Sequence, residues 1–187
     1  KRLNSPNDVC VHSNGAIFFT DPPYGIINPK RVEGFPGKMM YGSCNVFKYD
    51  PNKKSLVALV TDMERPNGIA LSLDESHLYI SNTGDNKYIR RYEIGKNLEL
   101  SKPINFAKSD PEHVFDGFRF DADNNLWTSC GKGVACYSPN GEQIGYVKMP
   151  ELVSNVEFGG TEGTTLFITA STSLYMANLN IKGAKYK

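Results

Sequence analysis

Short apolar runs separated by polar turns return in a fixed order along this chain. Three of them open on an amide or an acid, at Asn7, Asn67 and Asp116. Each is followed by a polar turn and a second apolar run, at 17–20, 78–81 and 126–129. A weaker fourth copy begins near Ser154 and continues at 166–169. The runs are rich in aromatic and β-branched residues and have Asn, Asp, Gly and Pro between them, a pattern typical of β-strands.

The repeat continues with two more strand-like runs in each of the first three units. These runs lie at 45–49 and 55–60, at 88–92 and 98–106, and at 133–137 and 143–148. The fourth unit has runs at 156–159, 166–170 and 173–178 and lacks an obvious last strand. No long stretch has the 3.6-residue period of a helix. Units of four consecutive strands predict an all-β propeller, with one blade per unit.

An insertion at 25–43 makes the first unit the longest. Gly34, Pro36, Gly37 and the pair Met39–Met40 predict a loop over one face, where propeller insertions commonly line a binding site. We interpret residues 1–187 as a single propeller domain, the C-terminal portion of a longer propeller. A four-bladed ring is the alternative. An open portion would expose unpaired strand edges, so we expect poor solubility if it is expressed alone.

The composition argues against nucleic-acid binding, membrane association and a thiolate zinc site. The 187 residues carry a formal net charge of +1, so a nucleic acid is not an expected partner. No apolar run approaches the length of a membrane span, and no membrane association is expected. None of the four cysteines forms a CxxC pair, which argues against a thiolate zinc site. A Cys130–Cys136 disulfide, the compartment (cytoplasmic or secreted) and the oligomeric state remain open.

The residues that open the three inner strands suggest a metal site. The innermost strands of a propeller line its central channel, so Asn7, Asn67 and Asp116 would converge near the axis at one end. Amide and carboxylate oxygens are hard ligands suited to Ca²⁺, Mg²⁺ or Mn²⁺. The competing interpretation is that Asn-Gly and Asp-Gly merely form turns. The fourth repeat has Ser154 at this position and would supply no ligand.

Five phrases in the chain carry a family resemblance. They lie at 5–8 (SPND), 19–25 (FTDPPYG), 65–70 (RPNGIA), 116–121 (DGFRFD) and 155–160 (NVEFGG). Together they resemble the senescence marker protein, gluconolactonase and luciferin-regenerating enzyme family of six-bladed propellers, and its gluconolactonase-like members in particular. About four of the six blades would then lie in this chain.

The resemblance implies one divalent cation at the axis, held by a Glu, two Asn and an Asp. Asn7, Asn67 and Asp116 match three of these ligands. Calcium is the cation expected first, with zinc, magnesium and manganese as alternatives. The Glu has no counterpart here, since Glu157 lies in the last repeat at a different offset. The resemblance therefore implies that this chain alone is inactive.

The resemblance also implies hydrolysis of a small sugar lactone. The cation would polarise the lactone carbonyl or activate water, and Asp116 would be the general base. Asp21, Tyr24 and Asn82 lie in loops that would reach the channel mouth, and we expect them to bind substrate. A purely structural role is the alternative for Asp21 and Asn82.

Two other functions remain open beside the lactonase. One is a non-catalytic propeller that binds a ligand or a partner through its face. The other is a related hydrolase that acts on phosphotriesters. The chain has no Gly-x-Ser-x-Gly phrase, so nothing supports a serine hydrolase.

Overall fold

The computed structural model describes residues 1–27, 37–109 and 112–186, which form fifteen strands and two short helical turns. The strands are β1 (Val9–Val11), β2 (Ile17–Asp21), β3 (Cys44–Asp50), β4 (Ser55–Met63), β5 (Pro66–Leu71), β6 (His77–Asn82), β7 (Tyr88–Glu93), β8 (Ile104–Lys108), β9 (Phe118–Phe120), β10 (Leu126–Ser129), β11 (Gly133–Tyr137), β12 (Gln143–Lys148), β13 (Val153–Gly159), β14 (Thr165–Ala170) and β15 (Leu174–Asn178). The helical turns are α1 (Tyr24–Ile27) and the 3₁₀ turn Ala184–Tyr186. The predicted all-β class is confirmed.

The strands form four antiparallel sheets, and in each sheet neighbouring strands are consecutive in sequence. Blade 1 contains β1–β4, blade 2 contains β5–β8 and blade 3 contains β9–β12. Blade 4 contains β13–β15, three strands within the described part of the chain. The first strands of successive blades contact one another, β1 with β5, β5 with β9 and β9 with β13. This is the propeller arrangement that the repeat predicts.

Apolar side chains fill the space between adjacent blades in three clusters. Blades 1 and 2 share a cluster that includes Phe18, Val46, Ile69, Leu78 and Ile80. Blades 2 and 3 share one that includes Tyr79, Ile89, Phe106, Phe118 and Leu126. Blades 3 and 4 share one that includes Val134, Val156, Phe158, Leu166 and Ile168. Full burial of such a side chain contributes roughly 1.5–3 kcal/mol, so each blade is stabilised mainly by its neighbours.

The polar residues that open the sequence repeats lie at one end of the blades. The first strand of each blade begins at this end and the second strand finishes there, because the two are antiparallel. Equivalent residues of the repeat are identified by this pairing: Val9, Ile69 and Phe118 lie opposite Phe19, Ile80 and Thr128. Asn7, Asn67 and Asp116 therefore lie at the same end of three neighbouring blades.

The structure differs from the sequence prediction in two places. The last strand of blade 2 is β8, which begins at Ile104 rather than at Leu98. Leu98 has a φ of 60° in a turn closed by Gly95, and Pro103 has no N–H for a strand ladder. The loop after β2 contains the helical turn α1, which follows Pro22 and Pro23 and whose Ile26 and Ile27 N–H groups bond to the Pro23 carbonyl. Residues 28–36 of the predicted 25–43 insertion lie outside the described residues.

The outer faces of blades 1 and 4 expose apolar side chains. Val9 and Val11 are 54% and 60% exposed on the face of β1 that points away from blade 2. Leu174 and Met176 are 66% and 71% exposed on the face of β15 that points away from blade 3. No helix among the described residues is long and apolar enough to cross a membrane.

Candidate metal and substrate site

Thr20 connects the first two predicted ligands through their main chains. Its carbonyl accepts a hydrogen bond from the Asn7 N–H at 3.0 Å, within blade 1. Its side-chain hydroxyl donates to the Asn67 carbonyl of blade 2 at 2.7 Å. Thr20 is fully buried, whereas the side chain of Asn7 is exposed. The main chains that carry Asn7 and Asn67 therefore lie next to each other at the same end of the blades.

Asp116 is held by two buried serines. Its N–H donates to Ser129 Oγ of its own blade at 2.8 Å, and its carbonyl accepts from Ser81 Oγ of blade 2 at 3.0 Å. Gly68 lies so close that a Cβ there would be 2.2 Å from the Asp116 carbonyl oxygen. A glycine after Asn67 is therefore required for this close approach of the two main chains.

The side-chain oxygen of Asn67 is a candidate ligand for a cation. Asn67 is 6% exposed, and its Oδ1 is buried without a hydrogen-bond partner among the described residues. Leaving such an acceptor unpaired costs about 1–3 kcal/mol. A hard cation would supply the missing interaction, and an amide oxygen beside the Asp116 carboxylate is a donor set that suits it. The residues present therefore fit a divalent cation.

Tyr24 joins Asn67 and Asp116 at this site. Its hydroxyl hydrogen-bonds to Thr83 Oγ1, and the Asn67 side chain forms a second hydrogen bond to the phenol. Burial raises the pKa of Tyr24, and the negative charge of Asp116 raises it further, while the two hydrogen bonds and the charge of Arg65 oppose the shift. The phenol is therefore neutral at physiological pH and can donate a hydrogen bond.

Asp21 and Asn82 occupy equivalent positions at the ends of β2 and β6, and both are fully buried. The Asp21 carboxylate accepts the N–H groups of Asn4 and Ser5, each at 2.9 Å. Burial raises the pKa of Asp21, and these two donors oppose the shift. Asn82 Oδ1 accepts the Arg65 N–H at 2.9 Å, and its Nδ2 donates to the Asn86 carbonyl at 2.6 Å.

A cleft beside Asp116 is large enough for a small ligand. It has a volume of about 590 Å³ and lies between the ends of blades 3 and 4. Ser154, Ser171 and Glu112 give it polar walls, and Val114 and Leu152 give it apolar ones. Small-molecule sites usually enclose about 300–1,000 Å³ and mix apolar walls with a few polar groups.

The structure thus brings together Asn67, Asp116 and Tyr24, and it places Asn7 beside them through Thr20. It uses the side chains of Asp21 and Asn82 to hold main-chain segments. The buried hydroxyls of Thr20, Ser81 and Ser129 were missed in the sequence. Their signal was present, because each repeat has a Ser or Thr at this position of the second strand and Thr169 continues the series.

Three comparisons identify similar proteins. The model of the SMP-30/Gluconolactonase/LRE-like region matches residues 1–172. A gluconolactonase of Zymomonas mobilis is 37% identical over 181 residues, covering 91% of this chain and 49% of its own length. A solved gluconolactonase of Xanthomonas campestris superposes with a TM-score of 0.87 at 36% identity, covering 96% of this chain and 58% of that one.

A more distant structure shares the fold alone. Regucalcin of Agrobacterium tumefaciens, a calcium-binding protein, has a TM-score of 0.74 at 20% identity and covers 96% of this chain and 62% of its own. The chain spans about half the length of the Zymomonas relative that it matches. The repeat, the four blades and the family match over most of the residues agree, and the chain belongs to the SMP-30/gluconolactonase/LRE-like family.

Proposed function

We propose that the protein to which this chain belongs is a gluconolactonase-like hydrolase that opens a small sugar lactone. Asn67, with its buried and unpaired Oδ1 next to Asp116 and Tyr24, is the observation that carries the proposal. The two gluconolactonase relatives, which are 36% and 37% identical, point to the same chemistry.

In this proposal Asn7, Asn67 and Asp116 hold one divalent cation. Calcium fits an all-oxygen donor set of amides and a carboxylate; magnesium, manganese and zinc are alternatives. When bound, the cation would polarise the lactone carbonyl and lower the pKa of a water molecule. In the described ranges no three His, Cys, Asp or Glu residues are placed to hold a metal ion, so the proposed site relies on the amides of Asn7 and Asn67.

Other steps of the hydrolysis would depend on side chains of this chain. Asp116 would accept the proton from the attacking water as general base. Tyr24, neutral because burial raises its pKa, would donate a hydrogen bond to a substrate oxygen. The cleft beside Asp116 would hold the sugar ring, with Ser154 and Ser171 available to its hydroxyl groups. Asp21 and Asn82 would act on substrate only indirectly, through the main-chain segments that they hold.

The decisive experiment replaces Asp116 in the full-length protein. Asp116→Ala and Asp116→Asn should abolish the hydrolysis of glucono-δ-lactone, followed by proton release, while circular dichroism shows a folded protein. Asp123→Asn is the matched control, because Asp123 is an exposed aspartate outside the site. Lactonase activity that survives both Asp116 variants contradicts the assignment. Ligand binding by a wild type without any hydrolysis would favour the non-catalytic propeller instead.

In this proposal the whole protein has more blades than the four in this chain. The exposed apolar faces of blades 1 and 4 suit further blades of the same propeller, and the Zymomonas relative has about twice the length of this chain. The cation would then gain a ligand from one of those blades. This chain alone would bind the cation weakly and would not turn over substrate. Tight stoichiometric Ca²⁺ binding by residues 1–187, measured by calorimetry, would argue against this.

A further inference from the structure

Thr20 and Ser81 occupy equivalent positions in the second strands of blades 1 and 2. Both are fully buried. Thr20 Oγ1 donates to the Asn67 carbonyl at 2.7 Å, and Ser81 Oγ donates to the Asp116 carbonyl at 3.0 Å. Each hydroxyl therefore reaches from its own blade to the residue that opens the first strand of the next blade.

The equivalent hydroxyls of the other two blades make different contacts. Ser129 of blade 3 accepts the Asp116 N–H of its own blade at 2.8 Å. Thr169 of blade 4 donates to the Asn155 carbonyl, also within its own blade, at 3.2 Å. Of these four hydroxyls, those of Thr20 and Ser81 bond to the next blade within the described residues, and both bonds end on a residue proposed to hold the cation.

We propose that Thr20 and Ser81 are positioning residues that set the spacing of the cation's ligands. The inference rests on the proposed function, since it requires a cation held by Asn7, Asn67 and Asp116. Thr20 holds the Asn7 N–H with its carbonyl and the Asn67 carbonyl with its hydroxyl, so one residue fixes two ligands relative to each other. Ser81 fixes Asp116 relative to blade 2, which carries Asn67.

The physical reason is the sensitivity of cation binding to ligand geometry. A carbonyl released from its hydrogen bond lets the peptide rotate, and the side chain on the adjoining Cα moves with it. Loss of an outer partner that orients a ligand typically weakens metal binding by about 10–100-fold. A hydroxyl that served stability alone would leave the affinity of the folded protein unchanged.

The test measures cation affinity in the full-length protein rather than activity. Thr20→Val removes the hydroxyl at nearly constant volume, Ser81→Ala does so at the second position, and Thr20→Ser keeps the hydroxyl. Ser72→Ala is the matched control, because Ser72 is also buried but its hydroxyl bonds to Asp74 at the other end of blade 2. Ca²⁺ is titrated calorimetrically into each metal-free variant, and melting without Ca²⁺ reports folding separately.

We expect Thr20→Val and Ser81→Ala to weaken Ca²⁺ binding by about 10-fold or more. Thr20→Ser and Ser72→Ala should stay within about twofold of the wild type. If Thr20→Val does not fold, Ser81→Ala decides the question alone. Wild-type affinity in a folded Thr20→Val or Ser81→Ala protein, with binding lost in Asn67→Ala, overturns the positioning role and leaves the proposed site intact. If the wild type binds no cation, or Asn67→Ala binds as well as the wild type, the proposed site itself is wrong.

Discussion

The Asp21 carboxylate and the Asn82 amide accept equivalent main-chain hydrogen bonds in successive blades. Each accepts, at 2.9 Å, the N–H of the residue two positions before a predicted ligand: Ser5 before Asn7 and Arg65 before Asn67. An Asx side chain at the end of the second strand thus fixes the approach to the first strand of the same blade. Two of the three residues that the sequence suggested for substrate binding, Asp21 and Asn82, are therefore hydrogen-bonded inside the fold.

Replacing Asp21 by Asn tests this arrangement. Asp21 accepts two N–H groups, and an amide would present its own NH₂ to one of them. The orphaned N–H should lower the unfolding free energy of the full-length protein by about 1–3 kcal/mol. Urea denaturation measures the loss, with Asp123→Asn as the control. An unchanged midpoint would show that the Asn4–Ser5 segment does not depend on the carboxylate.

Gly68 should tolerate no side chain. A Cβ there would lie 2.2 Å from the Asp116 carbonyl oxygen and 3.0 Å from the Phe118 ring, and the main chain cannot yield as a flexible side chain would. We expect Gly68→Ala to cost about 1–3 kcal/mol in urea denaturation and to weaken Ca²⁺ binding by displacing Asp116.

Gly145→Ala is the control for this substitution. A Cβ at Gly145 meets only the Cys136 Cβ, at an ordinary 3.6 Å, so its stability should be close to that of the wild type. Equal stability of the two alanine variants would mean that blades 2 and 3 do not meet as closely as the structure shows.

The Tyr24 hydroxyl should matter for turnover more than for folding. Tyr24→Phe removes the hydrogen bonds to Thr83 and Asn67 and the donor proposed for the substrate. The loss of one such bond corresponds to about a tenfold decrease in kcat/KM. Steady-state hydrolysis of a δ-lactone measures it, with Tyr92→Phe, buried between blades 1 and 2, as the control. If both variants retain wild-type kcat/KM, Tyr24 has no part in the reaction.

Glu151 should make blade 4 sensitive to acid. Its carboxylate accepts hydrogen bonds from the Thr172 N–H at 2.8 Å, Ser173 Oγ at 2.8 Å and the Tyr175 hydroxyl at 3.0 Å. The Thr172 N–H, followed by the side-chain donors, lowers the pKa of Glu151 from 4.5 to about 2. A carboxyl with a lowered folded pKa stabilises the fold above its unfolded pKa, and this contribution is lost as the pH falls through the folded pKa.

Glu151→Gln should therefore differ most from the wild type above pH 4.5, and the two proteins should converge toward about pH 2. Urea midpoints between pH 6 and pH 2 follow the difference, and Glu162→Gln changes an exposed carboxylate of the same blade as the control. A constant difference across this range would rule out the assigned role.

The exposed outer faces lead to an expectation for residues 1–187 expressed alone. Val9, Val11, Leu174 and Met176 are each more than half exposed, so the isolated chain should associate with increasing concentration. Leu174→Lys combined with Met176→Lys should reduce this association in sedimentation experiments. Leu56→Lys, on the outer strand β4, controls for added charge. A monodisperse wild-type chain that unfolds cooperatively would count against the longer propeller.

The strands could be predicted because their apolar alternation and turn residues are local signals. The start of β8 could not, because it depends on the turn at Gly95–Leu98 and on Pro103. The shared position of the three predicted ligands was visible in the repeat. The Thr20–Asn67 hydrogen bond spans 47 residues and joins two blades, and nothing in the local sequence indicates such a partner.

The hydrogen bonds between the blades lie outside the connections that differ most in length. The connection between the second and third strands occupies 22–43 in blade 1 but only 83–87, 130–132 and 171–173 in the others. Thr20 and Ser81 lie within strands, before these connections begin. A change in the length of a connection would therefore leave both hydrogen bonds, and the spacing of Asn67 and Asp116, in place.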